Sequence, residues 1–189
     1  MIKRLLIGIT GASGAPIALA LLQALAQTQV RAHVMVTPGG ELTLRQECGL
    51  EVKDLEPYAE TIYDIHSIGA EPASGSAIFL GMVVVPCTMK TVAGIHSGYS
   101  DNLLLRAADV TLKEGRKLVL VARESPMSAI HLRNLYELSR LGVVILPPML
   151  SYYGQPRSVA DLTDQVVGKI LDQFRIEHAA YRRWKGMDR

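Results

Sequence analysis

Aromatic side chains are scarce in this 189-residue chain, with two Phe, one Trp and seven Tyr. So few flat rings, a formal net charge of +2 and the absence of any extended Lys/Arg run argue against a nucleic-acid partner. Cysteine is scarcer still. Cys48 and Cys87 stand apart without CxxC or metal-ligand spacing, and the five histidines show no ligand spacing either. Reduced thiols and no metal are expected. Long apolar runs are missing as well. Lys3 and Arg4 followed by Leu5 to Ala26 mimic a signal peptide, but Gly8, Gly11, Gly14 and Pro16 interrupt what would have to be a continuous apolar helix. Without a membrane-length segment, the chain is expected in the cytoplasm.

Some motifs are absent too. No GxxxxGK[ST] occurs, which excludes a P-loop, and Gly8, Gly11 and Gly14 do not make GxGxxG. A dinucleotide site also wants an acid at the end of the second strand, and that strand ends Met35-Val36-Thr37. Tyr136 is followed by Arg140 rather than by the lysine of a short-chain NAD(P) oxidoreductase. A ligand with a single phosphate fits better than a dinucleotide.

What the chain does have is alternation. Apolar runs at Ile2–Ile9, Val30–Val36, Met82–Pro86, Lys117–Ala122 and Gly142–Pro147 read as strands. Between and after them, Pro16–Gln27, Glu41–Glu47, Asp101–Glu114 (Asp101 as N-cap), Ser125 to about Arg140, and Asp161–Phe174 read as helices. Glu51–Gly75 is polar, mixed and without a clear period. Near-continuous Val/Ile/Leu strands alternating with helices predict an α/β fold, a parallel sheet covered on both faces. One domain over residues 1–189 is expected, with a basic tail from about residue 176.

Ligands of such sheets bind beyond the carboxyl ends of the strands, and those exits carry the polar chemistry here. "TGASG" (Thr10–Gly14) follows the first strand, and its small residues let a phosphate approach the helix N-terminus, unless the turn merely needs positive φ. Thr37 follows the second strand, and "PCTMKT" (Pro86–Thr91) the third, where Thr88 also suits a helix cap. Arg123-Glu124 stand where a buried strand ends, a position at which catalytic charges collect. Arg106 and Lys113 share a helix face, although Lys113 could equally pair with Asp109. Glu47 alone would read as a solvated surface acid. Tyr153 and Lys169 could meet a small anion. "PASGS" (Pro72–Ser76) reads as a covering loop.

Together, "GITGASGAP", "PASGS", "PCTMKTVAGI", "NLLLRAADVTLKEGRKLVLVARESPMS", "IHLRNLYELSRLGVVILPP" and "RSVADLTDQVVGKILDQF" resemble the UbiX-type flavin prenyltransferases, from about Lys3 to Trp184. The resemblance implies a Rossmann-like, three-layer flavoprotein that assembles as a homododecamer. By the same resemblance it is expected to join a dimethylallyl group from dimethylallyl monophosphate to reduced FMN, without a metal, and to hand the product to a UbiD-type aromatic-acid decarboxylase. An older label for such proteins is decarboxylase. By the same likeness, Gly11, Ala12, Ser13, Thr37, Thr88, Met89, Lys90, Thr91 and Arg123 match FMN-binding positions. Ser13, Glu47 and Glu124 match catalytic ones, and Arg106, Lys113, Tyr153 and Lys169 match donor-phosphate positions. Trp184 aligns with a further site residue. Lys169 stands where many members have Arg, which keeps the charge and loses bidentate geometry. Two other readings are a flavin-dependent cysteine decarboxylase and a flavin-binding accessory subunit of a decarboxylase. The first has no use for Arg106, Lys113 and Lys169, and the second does not need Lys113, Glu124, Tyr153 and Lys169 together.

Overall fold

In the computed structural model, residues 3–184 and Gly186 are described. The strands are β1 (Lys3–Ile9), β2 (Val30–Val36), β3 (Thr61–Tyr63), β4 (Gly81–Cys87), β5 (Lys117–Ala122) and β6 (Val144–Ile145). The helices are α1 (Ala15–Ala26), α2 (Pro38–Cys48), α3 (Met89–Ser97), α4 (Leu103–Lys113), α5 (Ala129–Arg140) and α6 (Val159–Gln173). All strand pairs are parallel, in the order β3-β2-β1-β4-β5-β6. The expected α/β sheet is present, with six strands instead of five.

Side-chain alternation along each strand feeds two cores. Leu5, Ile7 and Ile9 of β1 join Val34, Val83 and Val119 beneath α1 and α6. Leu6 joins Met35, Met82, Val84 and Leu120 beneath α4 and α5. Each fully buried aliphatic contributes roughly 1.5–3 kcal/mol of transfer free energy, which fixes the strand register. A sheet apolar on both faces must be covered on both, hence the three layers.

Several boundaries differ from the sequence reading. Ile2 lies outside the described residues, as do 185 and 187–189 of the expected tail. α1 begins at Ala15 and carries Pro16 in its first turn. α2 starts earlier than Glu41, capped by Thr37, whose side chain accepts from Gly40 N at 3.1 Å. The cap of α4 is Asn102, which accepts from Leu105 N at 3.0 Å, and not Asp101. The cap of α5 is Ser128, so Ser125-Pro126 precedes that helix and does not open it. The last strand keeps only Val144–Ile145, and α6 starts at Val159 behind the Ser158 cap. β3 and the 3₁₀ turns Val52–Tyr58 and Glu71–Ala73 occupy the segment that showed no period.

Candidate active site

The chain builds β1, β2 and β3 outward in one direction and then returns to add β4, β5 and β6 on the other side of β1. The direction reverses between β1 and β4, and the crevice outside their carboxyl ends is where such sheets bind ligands. Thr10 closes the floor of that crevice. Its buried hydroxyl donates to Pro86 O at 2.7 Å and accepts from Thr88 N at 2.9 Å, tying the two strand exits together.

The glycines of the turn answer to the backbone around them. A Cβ on Gly11 would lie 2.9 Å from Gly39 Cα, so the loops leaving β1 and β2 pack main chain on main chain. Only Gly14 within "TGASG" has a left-handed φ, at 128°. The first amides of α1 are already engaged. Glu47 Oε2, on α2, accepts from Gly14 N and Ala15 N, both at 2.9 Å. Glu47 is therefore no solvated surface acid; it caps a helix distant in sequence. Burial pushes its carboxyl up, but hydrogen bonds from Gly14 N, the Ser13 hydroxyl and Ala15 N, with the Arg123 charge, outweigh that and hold it below its ordinary value. The same effect brings Ser13, Glu47 and Arg123 into one electrostatic neighbourhood.

The α3 end of the crevice is more open to an anion. Thr88 caps α3, accepting from Thr91 N at 3.1 Å, and the two threonine hydroxyls meet at 3.0 Å. The amides of Met89 and Lys90, at the first positions of that helix, have no intrahelical partner. The Lys90 side chain is exposed. Of the two helix N-termini at this crevice, that of α3 offers the amides of Met89 and Lys90, whereas the Gly14 and Ala15 amides at α1 are held by Glu47. Arg123 is exposed beyond β5, with its N–H donating to Cys87 O at 3.1 Å. Glu124 beside it accepts from Ser125 N at 3.1 Å.

One donor-phosphate candidate, Lys113, lies away from this crevice. Lys113 ends α4, before β5 begins, so it lies at the opposite edge of the sheet from Glu124, which follows β5. Six residues of strand separate those edges by roughly 17 Å. Lys113 pairs with Glu114 at 2.6 Å, and the alternative pair with Asp109 does not form, because Asp109 is held by Arg106 at 2.5 Å. The "PASGS" loop abuts Lys113: Arg116 donates to Gly75 O and Ala77 O, both at 2.6 Å, and a Cβ on Gly75 would lie 2.9 Å from Lys113 Nζ. Such an exposed ion pair contributes only about 0–1 kcal/mol.

A third group gathers around α6. Tyr153 and Lys169 line a cleft of about 540 Å³ with Pro147, Leu150 and Gln165. Gln165 Nε2 donates to the Tyr153 hydroxyl at 3.0 Å, leaving that O–H free to donate elsewhere. Trp184 meets the Tyr153 ring edge-on at 5.7 Å.

The sequence reading gave no role to Thr10, Gly39 or Glu114. A threonine at the exit of an otherwise hydrocarbon strand was the available signal for the first; the others act through contacts that only the fold creates. Cys48 and Cys87 are free thiols, both pushed above the usual range by burial. Among the described residues no group of three or more His, Cys, Asp or Glu could hold a metal ion, and no helix is long and apolar enough to cross a membrane.

Comparison with known proteins matches this architecture. The model of the flavoprotein family fits residues 1–171. A probable UbiX-like flavin prenyltransferase of Streptomyces sp. (strain D7) is 48% identical over 97% of this chain and 92% of its own length. The structure of a dodecameric FMN-dependent UbiX-like decarboxylase from Escherichia coli O157:H7 superposes with a TM-score of 0.95, at 46% identity over 97% of this chain and 100% of that one. The structure of AnUbiX in complex with FMN and dimethylallyl pyrophosphate superposes with a TM-score of 0.97, at 42% identity over 100% of both chains. This chain belongs to the flavoprotein family and, within it, to the UbiX-like flavin prenyltransferases.

Proposed function

We propose that this chain is a flavin prenyltransferase that joins the dimethylallyl group of dimethylallyl monophosphate to reduced FMN. The carrying observation is the crevice at the β1/β4 reversal, with free α3 amides, threonine hydroxyls and two carboxylates, in a chain 48% identical to a UbiX-like relative. The donor set there suits FMN. The amides of Met89 and Lys90, the hydroxyls of Thr88 and Thr91 and the Lys90 ammonium would hold its one phosphate. Thr37, Gly11 and Ala12 would border it, and Arg123 would contact the flavin. When bound, the reduced flavin supplies the nucleophilic nitrogen and an electron-rich face.

The chain's own residues do the rest. Lys113, Lys169 and Arg106 offer positive charge to a departing phosphate, and Tyr153 offers a hydroxyl donor. Glu47, held ionised by Gly14 N, the Ser13 hydroxyl and Ala15 N, orients Ser13. Glu124, whose bond is to its neighbour's amide, is free to move the proton that must leave. Because Lys113 and Glu124 lie at opposite edges of one sheet, a single site using both takes them from different copies of the chain. The dodecameric relative supports this assembly. The product then passes, in the cytoplasm, to a decarboxylase of the UbiD type.

The test is anaerobic incubation with FMNH2 and dimethylallyl monophosphate, followed by mass spectrometry of the released flavin. A flavin heavier by one C5H8 unit, absent in Glu124→Gln, is expected. Unmodified FMN with the monophosphate and the pyrophosphate alike would overturn the reading, whereas product from the pyrophosphate alone would change the donor.

A further inference from the structure

The chain beyond α6 turns back along that helix and is fastened there by one carboxylate. Asp172, in the last turn of α6, accepts at Oδ1 from His178 Nε2 at 3.0 Å and Arg183 Nη2 at 2.5 Å. At Oδ2 it accepts from the Tyr181 hydroxyl at 2.7 Å and Arg183 Nη1 at 3.1 Å. His178 Nδ1 in turn accepts from Ala180 N at 3.1 Å, which puts the ring proton on Nε2, facing Asp172. Burial pushes the Asp172 carboxyl up, but the hydrogen bonds from Arg183, Tyr181 and His178 and the Arg183 charge leave it well below the usual carboxylate range. Four donors on one carboxylate use nearly all its lone-pair directions, an arrangement beyond what an ordinary surface ion pair needs.

The helix surface beneath the tail is shaped to receive it. A Cβ on Gly168 would lie 2.2 Å from Tyr181 Cδ1 and 2.6 Å from Cε1, so the Tyr181 ring rests on bare helix backbone. Lys169, the next residue, places Nζ 5.7 Å from the centroid of the same ring. Three residues beyond Tyr181, Trp184 packs against Tyr153. The tail therefore touches both Lys169 and Tyr153, the two groups of the α6 cleft assigned to the donor phosphate. An exposed lysine keeps many rotamers when free and loses them on binding an anion. A ring fixed beside it restricts those rotamers in advance and lowers that cost.

We infer that Asp172, with Gly168, is a positioning residue for the prenyl donor: by fastening the tail to α6 it holds Tyr181 beside Lys169 and Trp184 beside Tyr153, and so orients the phosphate-binding pair. The donor half of this inference rests on the prenyl-transfer reading above. Asp172 touches neither reactant, so its effect belongs in the donor KM and not in flavin binding.

Trp184 is the only tryptophan of the chain and reports the tail directly. Two variants of the full-length protein test the clasp. Asp172→Asn removes the charge, and Gly168→Ala displaces the ring while favouring the helix, so a folding defect is not built into it. In both, acrylamide quenching of Trp184 is expected to rise in the flavin-free protein. The KM for dimethylallyl monophosphate should rise about tenfold, as for one lost charge-assisted hydrogen bond, with kcat within about twofold and FMN affinity unchanged. A Trp184 signal unmoved in both variants overturns the clasp. A moved signal with an unmoved donor KM, in an active wild type, overturns the positioning role alone. A wild type that makes no prenylated flavin defeats the prenyl-transfer reading and the donor half with it, while the quenching still decides the clasp.

Discussion

Glu47 shows how much one side chain changes when its surroundings are known. By composition it is one acid among eighteen acidic residues; in the fold it accepts from two amides at the start of α1. Capping of this kind contributes about 0.5–2 kcal/mol, so Glu47→Ala should lower the urea midpoint accordingly. The sign of its pH dependence follows from the lowered carboxyl. The unfolded chain protonates near 4.5 and the folded one at lower pH, so the contribution is complete above about 4.5 and is lost as pH falls through the lowered value. Urea midpoints of wild type and Glu47→Gln should differ above that pH and converge in acid. Equal separation throughout would contradict the ionised cap. None of this is legible in the sequence, because Glu47 and its partners Gly14 and Ala15 are joined only by tertiary folding. Lys113 teaches the same lesson: Asp109 lies at the right helical spacing for it, yet Arg106 takes that carboxylate.

Among the elements, those legible in the sequence are the ones whose burial is complete. β1, β2, β4 and β5 are hydrocarbon runs because both faces of the sheet are covered, and their exits stood out by contrast. β3 has three half-buried residues at the sheet edge, too short to show a period. It is held by His33 on β2, whose Nδ1 lies 2.9 Å from the Tyr63 hydroxyl. His33 Nε2 is buried without a hydrogen-bond partner among the described residues. Burial first, and then the Arg4 charge, hold this imidazole below its ordinary 6.5 against the opposing pull of Glu60 and Glu71. The unfolded chain therefore takes up a proton at a pH where the folded chain does not. Stability should fall as pH drops below 6.5 and level off below the folded-state value. Thermal melts across that range should show the slope in wild type and a flatter profile in His33→Gln; identical slopes would remove His33 as its source.

At the scale of the whole molecule, most site residues named from the sequence fall into three places: the crevice at the strand exits, Lys113 at the α4 end beside residues 72–76, and the α6 cleft; Arg106 stands apart in the first turn of α4. Sequence order carries the chemistry of each but says nothing of their separation, which depends on the direction of α4 and the length of β5. The proposed reaction, which uses both Lys113 and Glu124, would draw them from neighbouring copies that complete each other's sites. Co-assembly of Lys113→Ala chains with Glu124→Gln chains tests this most directly. Each variant alone is inactive by this account. Mixed assemblies, isolated through two different affinity tags and assayed for prenylated flavin, should recover up to about one in four of the wild-type sites, since each rescued site draws its intact Lys113 and intact Glu124 from different chains. Mixed assemblies as inactive as either parent would contradict a site shared between copies.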